Sequence, residues 1–234
     1  MDRDDEIASV VFRDRREAGR RLAARLQRYR DRPRAMVLGL PRGGVVPAAE
    51  IAEALRLPLD VIISRKIGAP GNPEFAIGAI AEGGGAYLNE EGVALTAASR
   101  EYVDQEIEHQ RAEIARRQRL FRSGRALSLP DKAIVILVDD GVATGATVIA
   151  AIRALRERRL GRLVLAIAVA PPDTVRVLRD LVDELVVLST PMMFWAVGAF
   201  YEDFQQVSDD EVCGLLRVQA ERLRKGDRAT VARI

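Results

Sequence analysis

The chain has 234 residues, a formal net charge of +2 and 48% hydrophobic residues. This length suits one large α/β domain with a sizeable core, and the balanced charge excludes the global field of a nucleic-acid binder. One cysteine, Cys213, excludes an internal disulfide and a cysteine-based zinc site, and one histidine, His109, set among charges in E-I-E-H-Q-R, reads as a surface residue that leaves no histidine metal cluster to build.

The acidic start, M-D-R-D-D-E, lacks a signal-peptide core. No apolar run reaches the roughly 20 residues that span a bilayer, so a soluble, reducing, cytoplasmic setting without a membrane partner is expected. Residues 14–30 read as a helix with Ala18, Leu22, Leu26 and Tyr29 on one face. Ala35–Leu40 reads as a strand, Val45–Leu55 as a helix after a Gly-Gly turn, and Leu59–Ser64 as a second strand. Residues 66–85, with G-A-P-G-N-P and G-G-G, read as a long loop with little regular structure, a candidate lid holding Glu74 and Phe75.

Ala98–Arg122 reads as one long, charged helix capped by Ser99, with a thin seam of Tyr102, Val103, Ile107, Ile114 and Leu120. Such a helix leans on the core by one seam or meets a partner. Ile134–Val138, Leu163–Val169 and Leu185–Leu188 read as strands, with helices at 147–158 and 174–181 between them. Ser208–Leu223 reads as a final helix with Ser208 and Glu211 as a capping box, followed by ten frayed residues. Cys213 falls in that pattern as a small packed side chain. Short strands each followed by a helix predict a three-layer α/β/α domain with a mostly parallel central sheet. In such sheets ligands bind beyond the carboxyl ends of the strands.

The strongest signal is K-A-I-V-I-L-V-D-D-G-V-A-T-G-A-T at 132–147. A buried strand ends in two acids, Asp139 and Asp140. Gly141, Ala143, Thr144, Gly145, Ala146 and Thr147 then form a small-residue turn whose N–H groups can converge on phosphate oxygens at a helix start. The turn lacks the lysine of a Walker A loop and the G-x-G-x-x-G of a dinucleotide site. Two acids beside a phosphate nest need other partners, and ribose hydroxyls and Mg²⁺ fit them.

This stretch resembles the 5-phosphoribosyl 1-pyrophosphate (PRPP) motif of type I phosphoribosyltransferases. The resemblance implies that Asp139 and Asp140 hold the ribose hydroxyls and, through PRPP or water, Mg²⁺, while Ala143–Thr147 hold the 5′-phosphate. Where the hypoxanthine–guanine branch has an acid before T-G, this chain has Ala143, as in the adenine branch, which points away from a 6-oxopurine acceptor.

Earlier in the chain, P-R-G-G closes a strand. The resemblance assigns Arg42, Gly43 and Gly44 to pyrophosphate, joined by Arg65 and Lys66 at the next strand end. It makes Arg42, Lys66, Asp139 and Asp140 the catalytic set, acting by charge stabilisation and positioning. Five aromatics fall between Phe194 and Phe204 in a chain only 5% aromatic. There the family has a hood over the acceptor base, and Trp195 and Tyr201 are the stacking candidates. The alternative is a hydrophobic cover or a dimer contact.

The wider pattern, P-R-G-G-V, R-K-I-G-A-P-G-N-P-E and A-V-G-A-F-Y-x-D-F, is similar to a bacterial group within the family. The resemblance implies a single domain over 1–234, with a core at about 35–190, an insert with lid loop and long helix at about 66–125, and a hood and helix at about 190–224. It implies transfer of phosphoribosyl from PRPP with Mg²⁺ to a nitrogen acceptor, a nucleobase first, in a protein that is commonly a homodimer. Two other readings stay open: a non-catalytic PRPP or nucleotide sensor on the same fold, and a partner-docking role for the long helix.

Overall fold

The computed structural model describes residues 11–231, so the acidic start M-D-R-D-D-E and residues 232–234 lie outside the described residues. In chain order the elements are α1 (Arg15–Arg25), β1 (Ala35–Gly39), α2 (Val45–Leu55), β2 (Leu59–Val61), β3 (Ser64–Ala69), β4 (Asn72–Ala81) and β5 (Ala86–Leu88). There follow α3 (Glu90–Leu95), α4 (Arg100–Arg122), β6 (Ile134–Asp139), α5 (Ala146–Arg156), β7 (Arg162–Val169), α6 (Pro172–Arg179), β8 (Glu184–Ser189) and α7 (Asp209–Val231).

The central sheet runs β2-β1-β6-β7-β8, with every pair parallel. Its inner strands β1, β6 and β7 are largely apolar because both faces are covered. Val135 and Leu137 pack beneath α5 and α6, while Ile136 and Val138 meet α1 and α2. The α/β/α layering is the one expected. From β1 the chain first adds β2 on one side and later β6 on the other. The strand order therefore reverses between β1 and β6, and the loops leaving those two strands flank a crevice.

The expectation for residues 66–85 is corrected. They are not a structureless loop but most of a three-stranded antiparallel sheet, β3-β4-β5. The glycines that read as breakers are sites of close backbone approach. A Cβ at Gly68 would lie 2.7 Å from the Pro73 carbonyl oxygen, and one at Gly78 would lie 2.4 Å from that of Tyr87. The hairpin turn is Pro70 and Gly71, with Gly71 at φ 71°, and Asn72 already opens β4. The second core strand accordingly ends at Val61, and Ser64 opens β3. α7 also outruns its expected end at Leu223 and continues to Val231.

The Ser99 side chain caps α4 by accepting from Tyr102 N at 3.2 Å. Its seam of Val103, Ile107, Ile114 and Phe121 lies on β3, β4 and α7, with Phe121 closing it while Leu120 is exposed. A buried ionic knot fixes its end. Glu82 accepts from Arg122 Nη2, from Gln118 Nε2 at 2.8 Å and from Ile63 N at 3.0 Å. Removing one member leaves an unpaired buried charge. Glu82→Ala is therefore expected to lower unfolding stability by about 3–5 kcal/mol in urea titration, and replacing both Glu82 and Arg122 with apolar residues should recover most of it. A loss below about 1 kcal/mol for the single change would contradict this role.

Candidate functional site

Gly39 of β1 and Val138 of β6 are partners in register, so the loops that follow leave the sheet side by side. Leu40 N donates to Val138 O at 3.0 Å, and the first loop then turns through a cis Pro41–Arg42 peptide. Its two glycines lie directly on the acid pair. A Cβ at Gly43 would sit 2.1 Å from Asp140 Oδ2, and one at Gly44 would sit 2.7 Å from Asp139 Oδ1. Only glycine lets this backbone pass so close to two carboxylates. The structure thus brings together Gly43, Gly44, Asp139 and Asp140 from motifs about 100 residues apart. Arg42 is half-buried beside them, 3.8 Å from Asp209 of α7.

Beyond the acids, Val142 turns inward and donates its N–H to Val169 O at 2.9 Å. Ala143 and Thr144 face solvent, with the Ala143 carbonyl held by Thr174 Oγ at 2.6 Å. Gly145 at φ 83° swings the chain into α5, which starts at Ala146. The first N–H groups of a helix have no partner within it, so Ala146 and Thr147 present donors and positive potential at this edge. Gly141 is tight against the hood, where an added Cβ would meet Val197 at 2.3 Å.

The acid pair is asymmetric. Arg15 Nε, from the first turn of α1, donates to Asp140 Oδ2 at 2.5 Å. Both side chains are about nine-tenths buried, with 10% and 11% exposure. Asp139 Oδ1 accepts from Asp140 N at 3.0 Å. Burial, then the neighbouring Asp140 charge, pushes Asp139 well above the usual carboxylate range. Sequence reading missed Arg15 because 125 positions separate it from Asp140 and an arginine on a charged helix carries no local mark.

The hood positions differ from the stacking expectation. Tyr201 is buried, and its hydroxyl donates to the Asp140 carbonyl at 2.5 Å. Burial, then Asp140, raises the phenol further, which keeps it a donor. Its ring lies against Phe12 and Phe204 at 5.3 and 5.0 Å, so no face is free for an acceptor. Trp195 is 88% exposed beside exposed Met192 and Met193, away from the acids' own contacts. The aromatic run is mainly a cover over the β7 and β8 ends.

Arg65 and Lys66 do not touch the acid pair. They line a cleft of about 570 Å³ between β3 and α4 that Pro41 and Thr147 also line. Arg65 Nε donates to Gln110 Oε1 at 2.9 Å. Burial, then Arg117, lowers its pKa. Among the described residues neither Arg65 nor Lys66 has a carboxylate within ion-pair distance. His109, as expected, is exposed. Glu74 and Phe75 are exposed near the hairpin tip. Among the described residues no three acids, histidines or cysteines cluster to hold a metal, and no helix is long and apolar enough to cross a membrane.

The architecture is that of a doubly wound α/β domain whose ligand crevice opens between β1 and β6. A family model described as phosphoribosyl transferase domain matches residues 13–205. Two Mycobacterium tuberculosis proteins, named "Putative phosphoribosyl transferase MT0597" and "Putative phosphoribosyl transferase Rv0571c", are each 44% identical over 209 residues, covering 88% of this chain and 46% of the relative. The crystal structure of TT1426 from Thermus thermophilus is 43% identical with a TM-score of 0.73, covering 88% of this chain and 98% of that one. The chain belongs to the phosphoribosyl transferase family. It spans about half the length of the curated relatives it matches.

The acid pair has a consequence for stability. Asp139 ionises later in the fold than in the unfolded chain, so its protonated form favours folding. Stability is then lost as pH rises from the ordinary value of 3.8 through the raised one. Asp139→Asn keeps the acceptor for Asp140 N and removes the charge. The variant should melt above the parent at neutral and alkaline pH, with the gap closing as pH falls toward 3.8. Equal melting temperatures at neutral pH would contradict this.

Proposed function

We propose that this chain is a phosphoribosyltransferase that takes PRPP with Mg²⁺ and passes its phosphoribosyl group to a nitrogen acceptor, a nucleobase in the first instance, with release of pyrophosphate. The observation that carries the reading is the contact of Gly43 and Gly44 with Asp140 and Asp139, made directly beside the glycine-capped start of α5. Family membership supports it independently.

In this reading the N–H groups of Ala143–Thr147 hold the 5′-phosphate and the two acids hold the ribose hydroxyls. Gly43, Gly44 and Arg42 take the pyrophosphate. Arg65 and Lys66, set in the cleft that Pro41 also lines, add cations for it. The bond from the anomeric carbon to the pyrophosphate oxygen breaks, its electron pair leaves with pyrophosphate, and a bond to the acceptor nitrogen forms. Arg42 and Lys66 stabilise the growing negative charge, while Asp139 and Asp140 fix the sugar. In the same reading the β3–β4 hairpin, with Gly71 in its turn, serves as the lid that excludes water.

The donor set fits Mg²⁺. Two carboxylates with, among the described residues, no third acid, histidine or cysteine clustered beside them suit an ion bound mostly through substrate oxygens and water. Asp139 and Asp140 would hold it, and its chemistry there is charge neutralisation of the polyphosphate.

The Arg15–Asp140 pair favours a second reading, a non-catalytic PRPP or nucleotide-binding regulator, because one acid already has a cation. Incubation with PRPP, Mg²⁺ and a panel of nitrogen acceptors, following pyrophosphate release, separates the two. Acceptor-dependent release is the expected result. Tight PRPP binding with no turnover across the panel would select the regulator, and no PRPP binding would end the enzyme reading and leave only a nucleotide-binding regulator.

A further inference from the structure

Arg15 is anchored three ways. Its Nε reaches Asp140 Oδ2 at 2.5 Å, its Nη1 donates to the Gln205 carbonyl at 2.7 Å, and its guanidinium lies 3.7 Å from the centre of the Phe204 ring. A planar fork held at an edge, a tip and a face has little freedom left. The chain on either side is fixed as well. Phe12 N donates to Phe200 O and Glu202 N to Phe12 O, both at 2.8 Å, and Asp203 N donates to Arg13 O at 2.9 Å. Asp14 caps α1 by accepting from Glu17 N at 2.7 Å. The start of α1 and the hood therefore form one brace, and Arg15 is where that brace meets the acid pair.

We propose that Arg15 is a positioning residue for the sugar-phosphate site, acting through Asp140. The inference rests on the PRPP reading above. One oxygen of Asp140, Oδ2, is committed to Arg15, while Oδ1 takes no hydrogen bond from the described residues. The carboxylate is thus held through one oxygen, with the other left without a hydrogen bond. Glycine at position 43 makes room for it, since a Cβ there would lie 2.1 Å from Oδ2. The hydroxyl of Tyr201 fixes the Asp140 backbone from the hood side. Arg15 also sets a positive charge against the acid pair that an incoming polyanion meets. Without it, two adjacent carboxylates would repel each other and the phosphates of the donor. Removing one partner of a buried pair of this kind leaves the other charge uncompensated.

Two measurements test the proposal, using the full chain. Hydrogen exchange on the ligand-free protein reads the brace with no substrate present. Arg15→Gln should speed exchange at residues 139–147 and 200–205 and leave β3–β5 unchanged. Calorimetry with PRPP and Mg²⁺ reads the consequence. Loss of a hydrogen bond to a charged group predicts about 10- to 100-fold weaker donor binding. Arg15→Lys, which keeps the charge but cannot reach both Asp140 and Gln205, should fall between the two. If an acceptor supports turnover, KM for PRPP should rise more than kcat falls.

Unchanged exchange, or donor affinity in Arg15→Gln within about twofold of the parent, would overturn the proposal. Should Arg15→Gln not fold, Arg15→Lys decides, and parent-like affinity there overturns it equally. A parent that binds no PRPP overturns the functional reading and the donor role of Arg15 with it, whereas a parent that binds beside an Arg15→Gln that binds equally well overturns only the role of Arg15.

Discussion

Two glycines pressed against two carboxylates set the terms for this site. Gly43 and Gly44 lie where any side chain would overlap Asp140 and Asp139. That contact exists because β1 and β6 are neighbours although β2 to β5 lie between them in sequence. The reversal of strand order between them opens the crevice, and the apolar strands beneath hold both loops in register. The acid pair, Arg42 and the two glycines are mounted on that junction.

The junction carries charge at a cost. Asp139 is held among protein atoms next to a second acid, and its ionised form is disfavoured for both reasons. Arg15 pairs directly with Asp140 and only partly offsets the shift of Asp139. Such local imbalance is common where a protein meets a charged ligand, since the ligand supplies what the fold leaves out. The same logic applies to Arg65, a half-buried guanidinium with Arg117 nearby. An acid pair needing cations and a cationic cleft needing an anion lie on either side of the Pro41–Gly44 loop. A metal-chelated, phosphorylated sugar has both complements in one molecule.

The parallel core was legible because strands buried on both faces leave continuous apolar runs, as in Ile134–Val138, and because a helix follows each. The loops at Arg42–Gly44 and Asp139–Thr147 were legible because glycine and acids at a strand end have few structural uses. The antiparallel sheet was not, since its glycines at Gly68 and Gly78 mark close packing and look in sequence like breaks. Tyr201 read as a stacking wall because an aromatic run has the same composition whether it faces a ligand or roofs a sheet. Only the coordinates show Phe12 and Phe204 against its ring and Asp140 on its hydroxyl. Arg15 left no trace in the sequence, because its meaning arises from a contact across 125 positions.

The central claim is that the loops after β1 and β6 grip one doubly phosphorylated pentose between them. A crystal structure of the protein with PRPP and Mg²⁺ tests it most directly. The account predicts the 5′-phosphate on the N–H groups of Ala143–Thr147, the ribose hydroxyls on Asp139 and Asp140, and the pyrophosphate against Gly43 and Gly44. Density for the sugar phosphate elsewhere, or a crevice that stays empty at saturating PRPP, would contradict it.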